Sequence, residues 1–313
     1  MSSIAHLQEL REAAFSQSQQ QELLLSEFPD NVFFQLTRRQ AQERTESLTA
    51  ELIQRQRQRE QEIVEVRLTG RTATRGTLPL DTLAIVSKTF ADTLHQISKY
   101  TSTGRSKSSR VPAEIKSRLD LRLAGVAAGS TKLFVSGQTS PDMFGNSLLN
   151  NSLERTFNLL DAEDPDAIMD QVPTVGHYGI TALQGFLRGI HDCHLEVEMK
   201  WDTPAHEMRV WSGNTRRLTS LSSMLGSMTE VAPHSFNFTG IVISLSLKGV
   251  LEVQDDQRGR ITARYPEILL AAIQSLHVGQ RCQGSMIEQT VVHTTTQARK
   301  SSFTLMSISA RVE

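Results

Sequence analysis

Cysteine is nearly missing from this chain. Its two copies, Cys193 and Cys282, stand far apart and form no CxxC pair. That argues against a disulfide framework and fits a reducing compartment, so the expected location is cytoplasmic. Aromatic residues reach only 5%, which leaves few rings for stacking bases. Neither sign of charge dominates: 33 Lys+Arg face 34 Asp+Glu, for a formal net charge of -1. Nucleic-acid contact therefore has to come from a local patch and not from bulk charge. Long apolar runs are missing too. Residues 268–273 form one of the longest, far short of a bilayer span. The opening MSSIAHLQELREAAF carries acidic and glutamine residues where a secretory leader needs an apolar centre. The expectation is a soluble protein with no membrane contact. Walker, Rossmann, nucleophile-elbow and HExxH patterns are absent, so no catalytic residue and no cofactor is expected.

What is present is a chain of 313 residues with 38% hydrophobic content, enough for one large core or two to three smaller ones. Residues 1–62 stand apart, with no glycine before Gly70 and twelve glutamines. They read as two helices, about 3–27 and 37–61, broken at Phe28-Pro29-Asp30-Asn31 because proline cannot continue a helix. Narrow stripes (Ile4, Leu7, Leu10, Ala14; Leu48, Leu52, Ile53) give each helix one apolar face. Such a hairpin packs on its own body, docks a protein partner, or joins two copies.

Residues 63–232 read as a central α+β domain. Glu62–Thr69 alternates like a strand, and Pro79 opens a helix whose face is Leu80, Leu83, Phe90, Leu94 and Ile97. A loop over 99–118 leads to an alternating strand at 119–126, which turns at Ala127-Ala128-Gly129-Ser130 into a second at 131–136. Helices are expected near 145–160, 165–171 and 176–190, strands at 194–201 and 207–211, and a helix over 214–229.

Residues 233–313 carry the clearest order: strand 236–247 with a slip at Gly240, turn at Lys248-Gly249, strand 250–254, acidic loop, strand 260–265, a helix opened by Pro266 whose Ile268, Leu269, Ile273 and Leu276 face inward, then strands 281–293 and 301–312. Five strands with one helix between the third and fourth is the order of an OB-like β-barrel, usually a binding surface. The fold class expected is α+β: helical hairpin, central mixed domain, C-terminal OB-like five-stranded barrel.

Two sets of residues carry the expectation of nucleic-acid contact. In the loop, Lys99, Arg105, Lys107, Arg110, Lys116 and Arg118 are opposed only by Glu114, and cations among small polar residues suit sequence-independent phosphate contact. On the barrel, Lys248, Arg258, Arg260, Arg264, Tyr265, Arg299 and Lys300 occupy the strands and loops that such folds use, with Tyr265 the one aromatic platform. Solvated surface charge gives the same pattern.

Other clusters fit poorly. His177, His191, Cys193, His194 and His206 crowd one stretch, but their spacing suits no zinc site, and no metal is expected. Asp161, Asp164, Asp166 and Asp170 lack the glycine of a calcium loop and read as helix capping around Pro165. Gly129-Ser130 has no Asp-x-Asp partner for nucleotidyl transfer.

Leu68-Thr-Gly70, Gly76-Thr-Leu-Pro79-Leu, the amphipathic helix, alternating 119–123 and Gly129-Ser130 together resemble the layout of a bacterial α+β protein family that ends in a small β-barrel, covering about 62–313. The resemblance implies no activity. It implies a setting in multi-gene operons, including antiviral and mobile ones. The leading expectation is a non-catalytic binding subunit of a bacterial multiprotein assembly, contacting nucleic acid through the basic loop and the barrel. Two alternatives stand beside it. One is a metal-dependent nucleotide hydrolase or nuclease using Asp192, His194, Glu196 and Glu198. The other is a structural protein that self-assembles through residues 1–62.

Overall fold

A computed structural model describes residues 4–28, 31–57, 61–73, 77–104, 108–127, 131–139, 147–204, 207–246, 249–294 and 296–310. Among these the fold is mixed α+β, with eight α-helices and two sheets. Two compact units interleave along the sequence: Met1–Pro79, Leu119–Asn150 and Val197–Ser212 form one, and Leu80–Arg118, Asn151–Glu196 and Gly213–Glu313 the other. No helix among the described residues is long and apolar enough to cross a membrane.

The first unit begins with α1 (Ile4–Glu27) and α2 (Val32–Arg57), which pack on each other. The expected break is real, but α2 begins at Val32 and not near 37, and Gln61 already belongs to a strand. Asn31 caps α2, its side-chain oxygen accepting from Phe33 N at 3.0 Å, as a residue with a short polar side chain does where helical donors lack partners. Pro29 and Asp30 lie outside the described residues. The sheet is ordered β2-β3-β1-β4-β5, built from β1 (Gln61–Gly70), β2 (Arg122–Ala127), β3 (Thr131–Gln138), β4 (Leu195–Asp202) and β5 (Met208–Gly213). In β1, Val64, Val66 and Leu68 are buried, and Glu62 joins them by accepting a hydrogen bond from Trp201 Nε1 at 2.9 Å. The other face meets α1. There Lys132 of β3 bridges Glu12 of α1 at 2.8 Å and Glu65 of β1 at 3.3 Å. The hairpin is thus packed on its own sheet through a partly buried cation held between two carboxylates.

The second unit holds α3 (Leu80–Thr103), α4 (Ala113–Leu119), most of α5 (Leu148–Leu160), α6 (Pro165–Asp192) and α7 (Thr215–Gly226). Asp164 caps α6, accepting from Ala167 N at 2.7 Å with Pro165 in the first turn, as the acidic run suggested. Gly176 leaves the helical region (φ 70°, ψ 163°) and kinks α6 where the sequence suggested two helices. α3 packs on α6, with Phe90 and Phe186 ring centres 5.4 Å apart.

The remaining strands are β6 (Met228–Glu230), β7 (His234–Ser246), β8 (Val250–Asp255), β9 (Gly259–Arg264), β10 (Arg281–His293) and β11 (Arg299–Ala310). A 3₁₀ turn, Glu267–Leu269, and α8 (Leu270–Gln274) lie between β9 and β10. β7 pairs antiparallel with β8, β8 with β9, β7 with β10 and β10 with β11, while β9 and β11 run parallel over Phe303↔Ala263 and Thr304↔Arg264. The pairings therefore run β7–β8–β9–β11–β10 and return to β7. Phe238, Val242, Leu251, Val253, Ile261, Met286 and Leu305 are buried together inside this set.

Sequence reading placed several side chains and boundaries differently. Ile268 (74% exposed), Leu80 (80%) and Leu123 (49%) face solvent. Ile268 sits in a 3₁₀ turn, whose three-residue period turns it away from the face that Ile273 takes, and Leu80 stands in the first turn of its helix. Residues 99–118 are not all loop: α3 carries Lys99 as far as Thr103, and α4 supplies Lys116 and Arg118. Leu119 closes α4 and is not part of a strand. The irregularity in β7 falls between Val242 and Ser244, not at Gly240. Gly240 has another reason to be glycine, because a Cβ there would lie 2.1 Å from the Gln254 carbonyl oxygen of β8.

Two outcomes follow. Gly240→Ala is expected to destabilise by about 3 kcal/mol, by driving β7 and β8 apart. Gly259→Ala, with open space and only a positive φ of 77° against it, is expected to cost about 1 kcal/mol. Urea melts of both variants check this. The second outcome concerns the Lys132 bridge. Burial alone would raise the Glu12 pKa, but the hydrogen bond and charge of Lys132 outweigh it and the net shift is downward. Burial alone would lower Lys132, yet Glu12 and Glu65 hold it up. The bridge is thus fully stabilising above the unfolded carboxylate pKa of about 4.3 and below the unfolded lysine pKa of about 10.4. It weakens as pH falls through the lowered Glu12 value, or rises through the raised Lys132 value. Lys132→Met should cost about 1–3 kcal/mol at pH 7, and the gap from the parent protein should narrow below pH 4 in acid melts.

Candidate functional site: an arginine cleft in the second unit

The C-terminal turn of α3 decides the local geometry. Gly104, at φ 64°, stops the helix by donating its N–H to the Tyr100 carbonyl at 2.7 Å, a left-handed end that suits glycine. Tyr100 is buried one turn earlier. Its ring fills the space left by Gly176, where a Cβ would come within 2.6 Å of Tyr100 Cδ2. Its hydroxyl donates to Gln289 Oε1 of β10 at 2.5 Å and lies 3.4 Å from Thr304 Oγ1 of β11. One side chain thus ties α3, the kink of α6 and the β10–β11 pair together.

Beside it lies a cleft with about 340 Å³ of empty space, lined among others by Thr101, Gly104, Arg155, Thr174, Arg264 and Thr304. Arg155, from α5, donates to Thr101 Oγ1 at 2.6 Å and to the Thr174 carbonyl at 2.5 Å. Arg264 ends β9 opposite Thr304. Among the described residues no carboxylate forms an ion pair with either guanidinium. Burial, then repulsion from Arg264, lowers the Arg155 pKa to about 10. Arg264 is exposed along part of its length, yet loss of hydration also lowers its pKa. Two like charges converge on a small polar space.

The residues expected to meet nucleic acid separate into four groups. Arg105, Lys107 and Lys248 lie outside the described residues. Lys99 is buried, its ammonium donating to the Ser108 carbonyl and standing 5.7 Å from the centre of the Tyr178 ring, and burial lowers its pKa. Tyr265 is buried as well; its hydroxyl donates to the Ser246 carbonyl at 2.7 Å, which removes the ring as an open platform. Three cations meet carboxylates: Arg118 on Glu267 at 2.6 Å, Arg260 on Glu252 at 2.6 Å, and Lys300 on Asp170. Arg110, Lys116, Arg258, Arg264 and Arg299 are exposed and have no ion pair among the described residues. Of these, Arg258 lies flat on Phe236, with Cζ 3.7 Å from the ring centre.

Of the residues of the hydrolase alternative, two carry ion-pair partners. Asp192 pairs with His191 at 3.2 Å, and Glu198 with Lys200 at 2.9 Å. Glu196 is exposed, and His194 occupies a turn position at φ 55°. His206 lies outside the described residues. No three His, Cys, Asp or Glu side chains among the described residues gather as a metal site would require. His191 and Asp192 do line a larger open groove between α6 and α7, with about 1060 Å³ of empty space.

Arg155 was missed in the sequence because it stands inside an apolar helix pattern with no basic neighbours. Its signal is spatial: only the fold brings α5 and β9 together. Family models, curated proteins and solved structures were compared with the chain, and none matches.

Tyr100→Phe tests the tie. Losing the hydroxyl should cost about 1–2 kcal/mol in a urea melt and leave the helix content unchanged by circular dichroism.

Proposed function

We propose that this protein is a non-catalytic binding subunit of a bacterial multiprotein assembly, with β7–β11 acting as an OB-like barrel that presents a binding face to nucleic acid. The observation that carries the reading is the circular pairing of β7, β8, β9, β11 and β10. In it one short parallel contact joins the third and fifth strands, and a helix follows the third. OB-type barrels share this connectivity and commonly bind oligonucleotides on the second and third strands. Here those strands, with the loop between them, carry Arg258, Arg260 and Arg264. Lys116 and Arg299 are two further exposed cations of the same unit.

The scarcity of rings limits stacking. Phosphate contact then dominates affinity and makes it sensitive to salt. The hairpin of α1 and α2 is the part proposed to dock a protein partner or a second copy, because Val32, Phe33 and Leu36 stay exposed near its turn. A cytoplasmic setting and an antiviral or mobile-element context belong to the same proposal.

Labelled single- and double-stranded DNA and RNA, titrated across a salt series, test the reading. The expected outcome is binding at low salt that falls by roughly tenfold or more between 50 and 200 mM salt. It should be weakened by charge reversal at Arg258 and Arg264. No binding to any of them at low salt would contradict it.

A further inference from the structure

We propose that the cleft between Arg155 and Arg264 is a receptor for a phosphomonoester, either the terminal phosphate of a nucleic-acid strand or the phosphate of a free nucleotide. The inference rests on the binding reading above and narrows it to one chemical group.

A guanidinium stays protonated across the physiological range, and removing it from water is costly unless an anion offsets it. Arg155 is held in place by two neutral acceptors, Thr101 Oγ1 and the Thr174 carbonyl. Those bonds orient it without neutralising it. Arg264 approaches the same space and makes no side-chain hydrogen bond or ion pair among the described residues. Glu154, next to Arg155 in the chain, attracts it, but burial and the second arginine outweigh that attraction. By contrast Arg118, Arg260 and Lys300 each found a carboxylate in the same unit. The cleft brings two arginines together, and among the described residues no carboxylate pairs with either.

Size and chemistry narrow the occupant. The empty space of about 340 Å³ includes open solvent at the mouth, so the room within is much smaller and suits a small oxyanion better than a base or a sugar. Arginine forks match the oxygen spacing of phosphate and carboxylate. A carboxylate offsets one positive charge. A phosphomonoester, at about -1.5 to -2 near neutral pH, offsets both. A phosphodiester inside a strand carries one charge and has its chain leaving on two sides, so a strand end suits so small a cleft better. The walls are also fixed in advance. Gly104 ends α3 there, Gly176 admits the Tyr100 ring, and the two-residue parallel contact of β9 with β11 sets Arg264 opposite Thr304.

Calorimetric titration of the full-length protein with inorganic phosphate, with chloride as the control, is the first arm. The second compares oligonucleotides bearing a 5′- or 3′-phosphate with their hydroxyl-ended counterparts, alongside a nucleoside monophosphate. Arg264→Gln is the main variant, since its exposed position makes misfolding a small concern. Arg155→Lys keeps the charge and loses the fork. The expected result is saturable phosphate binding, weakened roughly tenfold or more by Arg264→Gln and less by Arg155→Lys, with phosphate-ended strands favoured over hydroxyl-ended ones. No phosphate binding at low salt, or binding indifferent to Arg264→Gln, overturns the proposal. If strands bind regardless of their ends, and charge reversal at Arg258, which does not line the cleft, still weakens them, the cleft proposal falls while nucleic-acid binding stands. If phosphate and the mononucleotide bind through Arg264 but no strand does, the cleft stands and the nucleic-acid reading falls.

Discussion

The geometry of the second unit turns on Tyr100. Its ring needs the space that only a glycine leaves at position 176, and its hydroxyl needs Gln289 on β10. Both requirements are met only if α6 kinks where it does and the end of α3 comes down onto the β10–β11 pair. A buried hydroxyl left without a partner costs about as much as several methylene groups gain on burial, so the arrangement has little freedom to drift. The cleft is a by-product of that constraint. α3 must stop at Gly104, α5 presents Arg155 to the space that remains, and the narrow β9–β11 contact brings Arg264 to its mouth.

The first unit follows a different logic. Its hairpin is poor in apolar residues, and one of its contacts with the sheet is ionic, with Lys132 held between Glu12 and Glu65. Partly buried ion bridges of this kind fix position more than they add stability. The exposed Val32, Phe33 and Leu36 lie near the opposite helix start, on residues that the sheet contact does not use.

Much of this fold was legible in the sequence because its signals were local. Alternation marked β1, β4 and the strands from β7 to β11. Asn31 and Asp164 were capping residues at breaks that proline had already announced. Where reading failed, the cause was non-local. Leu80 and Ile268 belong to apolar patterns but fall on turns that face outward. Tyr265 looked like an open platform because nothing in the sequence shows that its hydroxyl meets the Ser246 carbonyl. Lys99, Arg118, Arg260 and Lys300 looked like free cations for the same reason: their partners at Ser108, Glu267, Glu252 and Asp170 were assigned by the fold. Arg155 is the converse case, invisible as a site until a strand more than a hundred residues later brings Arg264 beside it.

On the proposed binding reading, a ligand meets the cleft and strands of the second unit. Hydrogen–deuterium exchange on the full chain, with and without a 5′-phosphorylated oligonucleotide, tests it most directly. Added protection is expected at residues 101–104, around Thr174 and along β9, with α1 and α2 unchanged. Protection confined to the helical hairpin, or to the groove lined by His191 and Asp192, would contradict it.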